Sequence, residues 1–457
     1  MTSTETICSI STPHGIGAIA IVRMSGPKAF EIAQRLFKFD FSDLKQNINK
    51  YAELFENDEL IDQVVISKSV APHSYTGEDM VEIDCHGSVF IQQKILSLLI
   101  ENGCRLANPG EYTMRAFMNG KMDLPQAEAV GDLIDSQSEM AHQLAVKQLK
   151  GTFSNKINEL RSQFVEFASL LELELDFSEE DVQFANRERL SALLNDLKTE
   201  VNRLIASFKT GNALKKGIPV AIIGKPNVGK STLLNALLDD ERAIVSNIPG
   251  TTRDTIEDVM NVDGIAFRFI DTAGIRSSQD QIENFGIERT FKAVEKADIV
   301  LYMLDATTTS LDELKEEMRY LNAEVDMTDK KLVLIANKID NMAEIPSHFK
   351  ANDEWKTLCV SAKHRLHIEA ITQVLVDFVK HRQLTDNTIL TNLRHYDIFL
   401  KIRESIENIE RGFANDIPTD LVAIDVREAL NNLGLITGEI ATDEILNMVF
   451  GKFCIGK

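Results

Sequence analysis

GKPNVGKS, residues 224 to 231, is a complete GxxxxGKS phosphate-binding loop, and its flanks decide the fold around it. The apolar run Pro219, Val220, Ala221, Ile222, Ile223 leads in, and Thr232, Leu233, Leu234, Asn235, Ala236, Leu237, Leu238 lead out with helical spacing. The loop therefore joins a strand to a helix. Gly224 and Gly229 let the backbone bend tightly enough to turn its N–H groups inward, so that Asn227, Val228, Gly229, Lys230, Ser231 and Thr232 are the candidate phosphate contacts. Lys230 supplies a mobile positive charge for the terminal phosphates, and the Ser231 hydroxyl can hold magnesium.

Three further motifs follow in order. Thr251 and Thr252, at the end of the segment Ser246, Asn247, Ile248, Pro249, Gly250, offer a hydroxyl that completes a magnesium shell when a γ-phosphate is present. Asp271, Thr272, Ala273 and Gly274 end a second apolar stretch; the Asp can hold a metal-bound water, and the Gly N–H can touch the γ-phosphate. Both segments are candidate switches. Asn337, Lys338 and Asp340 end a third strand, and the Asp340 carboxylate can accept from N1–H and the 2-amino group of guanine, which adenine lacks, so the set selects GTP. Ser361, Ala362 and Lys363 resemble the short loop that meets guanine O6 through a backbone N–H.

One absence is equally informative. Where the Ras type of GTPase carries a glutamine that orients the attacking water, this chain has Ile275, which has no polar side-chain atom. Either hydrolysis is negligible alone, or other groups align the water and offset the developing charge. Asn227 has a carboxamide oxygen able to ligate a monovalent cation, and Glu283 has a carboxylate able to position water; the plainer reading of Glu283 is a solvated helix-face carboxylate.

Length and composition bound the rest. At 457 residues the chain holds about three domains. Five cysteines (Cys8, Cys85, Cys104, Cys359, Cys454), odd in number and without CxxC spacing, suggest neither a disulfide framework nor a zinc site and fit a reducing cytoplasm. No apolar run approaches a membrane span, and the N-terminus reads as neither signal nor transit peptide, so a cytoplasmic protein without membrane contact is expected. A net charge of -21 argues against unspecific coating of RNA; any RNA partner must use a local patch.

Periodicity divides the chain. Residues 1–119 alternate β-type and helical runs, an α+β pattern; 120–215 carry three apolar stripes at helical spacing; 216–380 hold the α/β P-loop motifs; and 381–457 return to helical spacing. The first of those stripes runs from Ala127 to Ala145, and the acidic stretch Glu172 to Asp181 reads as a solvated connection. The helical stripes before and after the nucleotide motifs each need a partner, which implies one discontinuous all-α domain with the nucleotide domain inserted into it.

NPGEYTMRAFMNGKMDLPQAEAV (108–130), SYTGEDMVEIDCHG (74–87), the nucleotide motifs and the terminal FCIGK (453–457) together make the chain resemble the MnmE (TrmE) family of tRNA-modification GTPases over essentially its whole length. The resemblance implies an N-terminal tetrahydrofolate-binding and dimerisation domain, a helical domain and an inserted GTPase, acting as a homodimer. The family's flavoprotein partner MnmG would complete a heterotetramer that adds an aminomethyl or carboxymethylaminomethyl group to the wobble uridine of certain tRNAs, using 5-formyl- or methylene-tetrahydrofolate. By the same resemblance, Asn227, Ser246, Ile248 and Thr251 match potassium ligands, Ser231 and Thr252 match magnesium ligands, and Glu283 matches the water-orienting glutamate. Arg23, Glu82, Lys121 and Lys457 match the folate site, with Cys454 beside it as either a catalytic thiol or a packing residue. A carboxylate suits the donor edge of a pterin, and cations suit the glutamyl carboxylates. His86 reads as structural, and Ser88 stands where the family has a second glycine, which puts the local turn in question.

A second class of function is a ribosome-assembly GTPase of the Era or Der kind, which would carry a KH-type domain or a second GTPase domain; only one GxxxxGKS occurs here. A third is a folate-binding protein whose GTPase only regulates assembly.

Overall fold

The computed structural model describes residues 5–46, 48–177, 187–239, 244–245, 258–270, 283–346, 349, 356–382, 389–415 and 417–457. The chain forms two compact units, one from residues 1–131, 148–197 and 401–457, the other from 132–147 and 198–400.

The first unit is built on a six-stranded sheet of β1 (Ile7–Ile10), β2 (Ile19–Ser25), β3 (Lys50–Glu56), β4 (Glu59–Ser69), β5 (Met80–His86) and β6 (Arg105–Leu106), in the order β3-β4-β5-β2-β1-β6. All pairings are antiparallel except β1 with β6. Alternation decides its two faces. Ala20, Val22 and Met24 of β2 and Val81, Ile83 and Cys85 of β5 are buried in one core with Ile32, Ala33 and Leu36 of helix Ala29–Leu36 and Ile95, Leu98 and Leu99 of helix Val89–Glu101. The residues between them, Arg23, Glu82 and Asp84, take the opposite face. Beyond the sheet, helix Thr152–Phe177 packs on helix Thr419–Thr437, and Leu124 and Ala127 share a cluster with Val449 and Phe450 of helix Asp443–Phe450. Segments from before and after the nucleotide motifs thus close one core.

The second unit carries a seven-stranded sheet of β7 (Ile218–Ile223), β8 (Ile244–Val245), β9 (Asp258–Val262), β10 (Ile265–Phe269), β11 (Ile299–Asp305), β12 (Lys331–Asn337) and β13 (Thr357–Cys359), ordered β13-β12-β11-β7-β10-β9-β8. The first five in that order are parallel and β9 and β8 antiparallel. The parallel strands read as near-continuous apolar runs because both faces are covered. Val220, Ile222, Leu301, Met303, Val333 and Ile335 enter one core, and Ala221, Ile223, Val300, Leu304, Leu334 and Ala336 the other. Strand β7 lies where the chain order reverses, between β10 and β11, which places the loop after it at the crevice where such sheets bind ligands.

Three expectations change. The stripe from Ala127 to Ala145 is two helices, Leu124–Asp135 and Glu139–Leu149. Ser136 Oγ donates to Leu133 O (2.8 Å) and Ser138 Oγ accepts from Ala141 N (3.2 Å), so serine side chains close one helix and open the next. The acidic stretch is not simply a connection, since helix Thr152–Phe177 runs through most of it. Ser88 has φ −78 and ψ 132 at the start of helix Val89–Glu101, an ordinary conformation that needs no glycine.

Candidate functional site

The phosphate loop is formed as its sequence demands. Gly224 sits at φ +142, and a Cβ there would stand 2.1 Å from Met303 O of the neighbouring strand, so no other residue fits without displacing β11. Asn227 takes the left-handed conformation at φ +61, which asparagine tolerates better than most residues, and Gly229 is the N-cap of helix Lys230–Leu238. The helix thus presents its positive end to the loop. Lys230 Nζ donates to Gly224 O and Lys225 O, both at 2.8 Å, and burial pushes its ammonium below the ordinary lysine range. A desolvated cation whose partners among the described residues are two carbonyls is well suited to transfer to phosphate oxygens. Ser231 lies in the first turn of the same helix.

The far end of the site is set by β12. Asn337 is buried; its Nδ2 donates to Val228 O (2.8 Å) and its Oδ1 accepts from Ala362 N (2.9 Å), which joins the phosphate loop to the Ser361–Lys363 turn through one side chain. Lys338 Nζ pairs with Asp305 Oδ2 at 2.6 Å. Asp340 Oδ1 accepts from Ser361 Oγ at 2.6 Å, and that bond holds the Asp340 carboxyl below its ordinary range. His364 Nε2 lies 3.7 Å from Asp340 Oδ2, and Arg365 ties the same turn to Asp239 at the end of the phosphate-loop helix (2.9 Å). The carboxylate is therefore ionised and oriented to accept a pair of donors. Asp340→Asn is expected to weaken GTP about 10- to 100-fold and to favour a xanthine nucleotide, since the amide turns one acceptor into a donor. Competition titrations with GDP and xanthosine diphosphate would measure it; unchanged preference would show that Asp340 does not read the base.

Ser246, Asn247, Ile248, Pro249, Gly250, Thr251, Thr252, Asp271, Thr272, Ala273 and Gly274 lie outside the described residues, as does Ile275. Glu283 begins helix Glu283–Lys296. Between the two candidate switches, the β9–β10 hairpin is tied to the segment before helix Glu139–Leu149: Met140 N donates to Gly264 O (3.0 Å) and Asn261 Nδ2 to Gln137 O (2.9 Å).

A second constellation lies in the sheet-based unit. Arg23 pairs with Glu82 across β2 and β5 (Nε–Oε1 2.7 Å, Nη2–Oε1 2.6 Å), and its guanidinium stands 5.9 Å from the Tyr75 ring and 5.6 Å from the Tyr112 ring. Its Nη1 donates to Gly456 O at 3.3 Å, which brings the end of the chain to the start of it. Tyr112 N donates to Lys457 O (3.2 Å), and Tyr112 Oη donates to Arg23 O (2.9 Å). Asp84, on the same face, has its carboxyl pushed up by burial and by the neighbouring Glu82. Lys121 Nζ donates to Pro72 O (2.9 Å), so it attaches to the loop that carries Tyr75 and makes no described hydrogen bond to Arg23 or Glu82. Cys454 is exposed, while Cys8, Cys85 and Cys104 are buried. His86 is held by Asp62 (Nδ1–Oδ1 2.7 Å), in keeping with a structural role.

The sequence reading missed Tyr75, Tyr112 and the ion network behind them. Glu111 and Arg115, both buried, pair at 2.9 Å; Arg115 also reaches Glu78 (3.0 Å), and Glu111 also accepts from Arg105 (2.6 Å). The signal was present as two charges four residues apart in a segment of otherwise helical character.

A strand, a glycine-bounded phosphate loop and a helix at the crevice of a mostly parallel sheet define a P-loop nucleotide-binding domain. Two family models cover the chain: one described as "GTP-binding protein TrmE N-terminus" matches residues 6–121, and one described as "MnmE helical domain" matches residues 124–454. Proteins named "tRNA modification GTPase MnmE" from Christiangramia forsetii and Parabacteroides distasonis are each 47% identical, over 475 and 464 aligned residues. These alignments cover 99% of this chain in both cases, and 99% and 100% of the relatives. That of Flavobacterium johnsoniae is 46% identical over 468 residues and 100% of both chains. The chain belongs to the MnmE family of tRNA modification GTPases. Among the described residues no helix is long and apolar enough to cross a membrane.

Proposed function

We propose that this chain is a potassium-stimulated GTPase that, with the flavoprotein MnmG, adds an aminomethyl or carboxymethylaminomethyl group to C5 of the wobble uridine of certain tRNAs, acting in the cytoplasm as a homodimer. The observation that carries this reading is the meeting of the two chain ends: the terminal tail bonds Arg23, which Glu82 holds, and Tyr112, far in sequence from the nucleotide loop, where nothing in GTP hydrolysis requires it. We take residues 1–119 as the folate-binding and dimerisation domain, 120–215 and 381–457 as the helical domain, and 216–380 as the GTPase domain.

The residues at the tail fit a tetrahydrofolate derivative in chemical type. Glu82 offers a carboxylate to the donor edge of a pterin, Tyr75 and Tyr112 offer aromatic surface, and Arg23, Lys121 and Lys457 offer cations to the glutamyl carboxylates. A bound tetrahydrofolate would supply the one-carbon unit. Arg23 would orient it while remaining fixed by Glu82, and Cys454, being exposed, is available as a thiol.

In the nucleotide site Ser231 and Thr252 would hold magnesium; a hydroxyl set of this kind works with phosphate oxygens and needs no carboxylate cluster. Asn227, Ser246, Ile248 and Thr251 would hold potassium. Asn227 suits this role by chemistry and place, a carboxamide residue with a left-handed backbone inside the phosphate loop. Glu283 would position the attacking water. Hydrolysis is then expected to fall on the order of 10²-fold when potassium is exchanged for sodium at equal ionic strength, a loss of the size seen when one oriented electrostatic contact is removed. Asn227→Ala should abolish that difference. Equal turnover in the two salts by the unaltered chain would refute the potassium assignment.

A further inference from the structure

Lys225 occupies the second position of the phosphate loop, where the general GxxxxGKS pattern demands no particular residue. Its carbonyl accepts from Lys230 Nζ at 2.8 Å, so its backbone is in contact with the cation that serves the phosphates. Its side chain points the other way, and Nζ lies 2.5 Å from Glu317 Oε1 on helix Leu311–Glu324. The Glu317 carboxylate is itself largely buried, at 18% exposure, and its second oxygen accepts from Tyr302 Oη at 2.6 Å. Tyr302 is a buried residue of β11, next to Met303, whose carbonyl closes over Gly224. A continuous path therefore runs from β11 through Tyr302, Glu317 and Lys225 to the carbonyl that touches Lys230.

We propose that Glu317 is a positioning residue of the GTPase site, holding the outer limb of the phosphate loop, through Lys225, at the place where the Lys225 carbonyl shares the Lys230 ammonium with Gly224. Burial and the hydrogen bond to Glu317 keep Tyr302 protonated, so Tyr302 is a permanent donor to one Glu317 oxygen. That bond fixes the rotamer of the carboxylate and leaves Oε1 for Lys225. The neighbouring Glu313 and Glu316 add negative potential around the Lys225 ammonium. The Lys225 side chain is 60% exposed, and what sets the pair apart from a surface ion pair is the largely buried carboxylate, fixed from behind by Tyr302.

The consequence is preorganisation. A loop held before nucleotide arrives loses less conformational freedom on binding, so the tether contributes to affinity more than to the chemical step. The test uses the full-length chain, a fluorescent GDP analogue for affinity, and GTP turnover at saturation for the chemical step. Lys225→Met and Glu317→Gln are each expected to weaken GDP about fivefold, and the double variant no more than either single variant, because the two changes cut the same tether. Turnover at saturating GTP should change less than affinity does. Lys225→Arg should restore most of the affinity, and Tyr302→Phe should give a smaller loss in the same direction. Thermal unfolding without nucleotide controls for folding. Additive losses in the double variant, or lower thermal stability with unchanged GDP affinity, would show that Glu317 serves only the helix it sits on and would overturn the assignment. If Glu317→Gln does not fold, the Lys225→Met and Tyr302→Phe pair carries the same cycle from the two ends of the path.

Discussion

Deleting residues 454–457 is expected to abolish wobble-uridine modification while leaving potassium-stimulated GTP hydrolysis and folding intact. The tail is held by backbone as much as by side chains. Gly456 O accepts from Arg23 Nη1 (3.3 Å), Lys457 O from Tyr112 N (3.2 Å) and Cys454 O from Gly110 N (3.5 Å). Gly456 stands at φ +103, with Ile10 O only 2.5 Å from where a Cβ would be, so the tail's approach to β1 is open to glycine alone. Gly456→Ala should therefore lose most of the modification without removing any functional group. Cys454→Ser then separates chemistry from packing, since serine nearly preserves the volume but is a far poorer nucleophile at neutral pH. Mass spectrometry of tRNA nucleosides from a strain carrying each variant reads the outcome. Full modification by the truncated chain would remove the tail from the site and return weight to a GTPase that only regulates.

Nucleotide chemistry was legible in the sequence because it is local: Gly224, Lys230 and Ser231 sit within one strand-loop-helix unit, and Asn337 and Asp340 end a strand whose apolar run announces itself. Their cross-links were not legible. Asn337 joins Val228 to Ala362 across 109 and 25 residues of sequence, and Glu317 reaches Lys225 from a separate helix. Family motifs named Arg23, Glu82 and Lys457, and the sheet register explains the meeting of the first two, since β2 and β5 pair Arg23 with Glu82 directly. Tyr75 and Tyr112 were hidden because an aromatic in a loop and an aromatic in a helix look the same whether they line a site or fill a core. Strand β3 is hard to read in the sequence for a different reason. Ala52 and Leu54 face inward while Tyr51 and Glu53 face out, an alternation too short to stand against the polar residues around it. The break at Ser136 to Ser138 escaped notice because the apolar period happens to stay in phase across it.

Arg115→Ala is expected to cost about 3–5 kcal/mol of stability in the unit that carries the tail, the size usual for removing one partner from a buried ion network. Arg115 is 4% exposed and donates to Glu78 Oε2 (3.0 Å), Glu111 Oε1 (2.9 Å) and Glu5 O (3.0 Å). Its loss would leave Glu111 to Arg105 and the Asn108 N–H, and would take from Glu78 its charged partner, leaving it the Ser25 hydroxyl. Burial pushes the Glu111 carboxyl up, but hydrogen bonds from Arg105, the Asn108 N–H and Arg115 more than reverse this and leave it below its ordinary value. A carboxyl with a lowered folded-state pKa contributes stability above its unfolded pKa and loses it as pH falls through the folded one. The unaltered chain should therefore weaken on acidification below the ordinary glutamate range, and Arg115→Ala should flatten that part of the dependence as well as lower the plateau. The network also reaches the site. Glu78 accepts from Ser25 Oγ (2.8 Å), Ser25 bonds Thr76 (2.8 Å), and Tyr75, adjacent to Thr76, faces Arg23. Destabilisation should thus be accompanied by weaker folate binding, whereas nucleotide affinity, set in the other unit, should be unchanged. Replacing Glu111, Glu78 and Arg115 together by apolar residues of similar volume is expected to recover much of the stability, because it removes the buried charges rather than orphaning them, but not the proposed folate binding. Denaturant titration of the three forms at neutral and acid pH checks the energies, and a loss below about 1 kcal/mol for Arg115→Ala would show that water reaches the network and screens it.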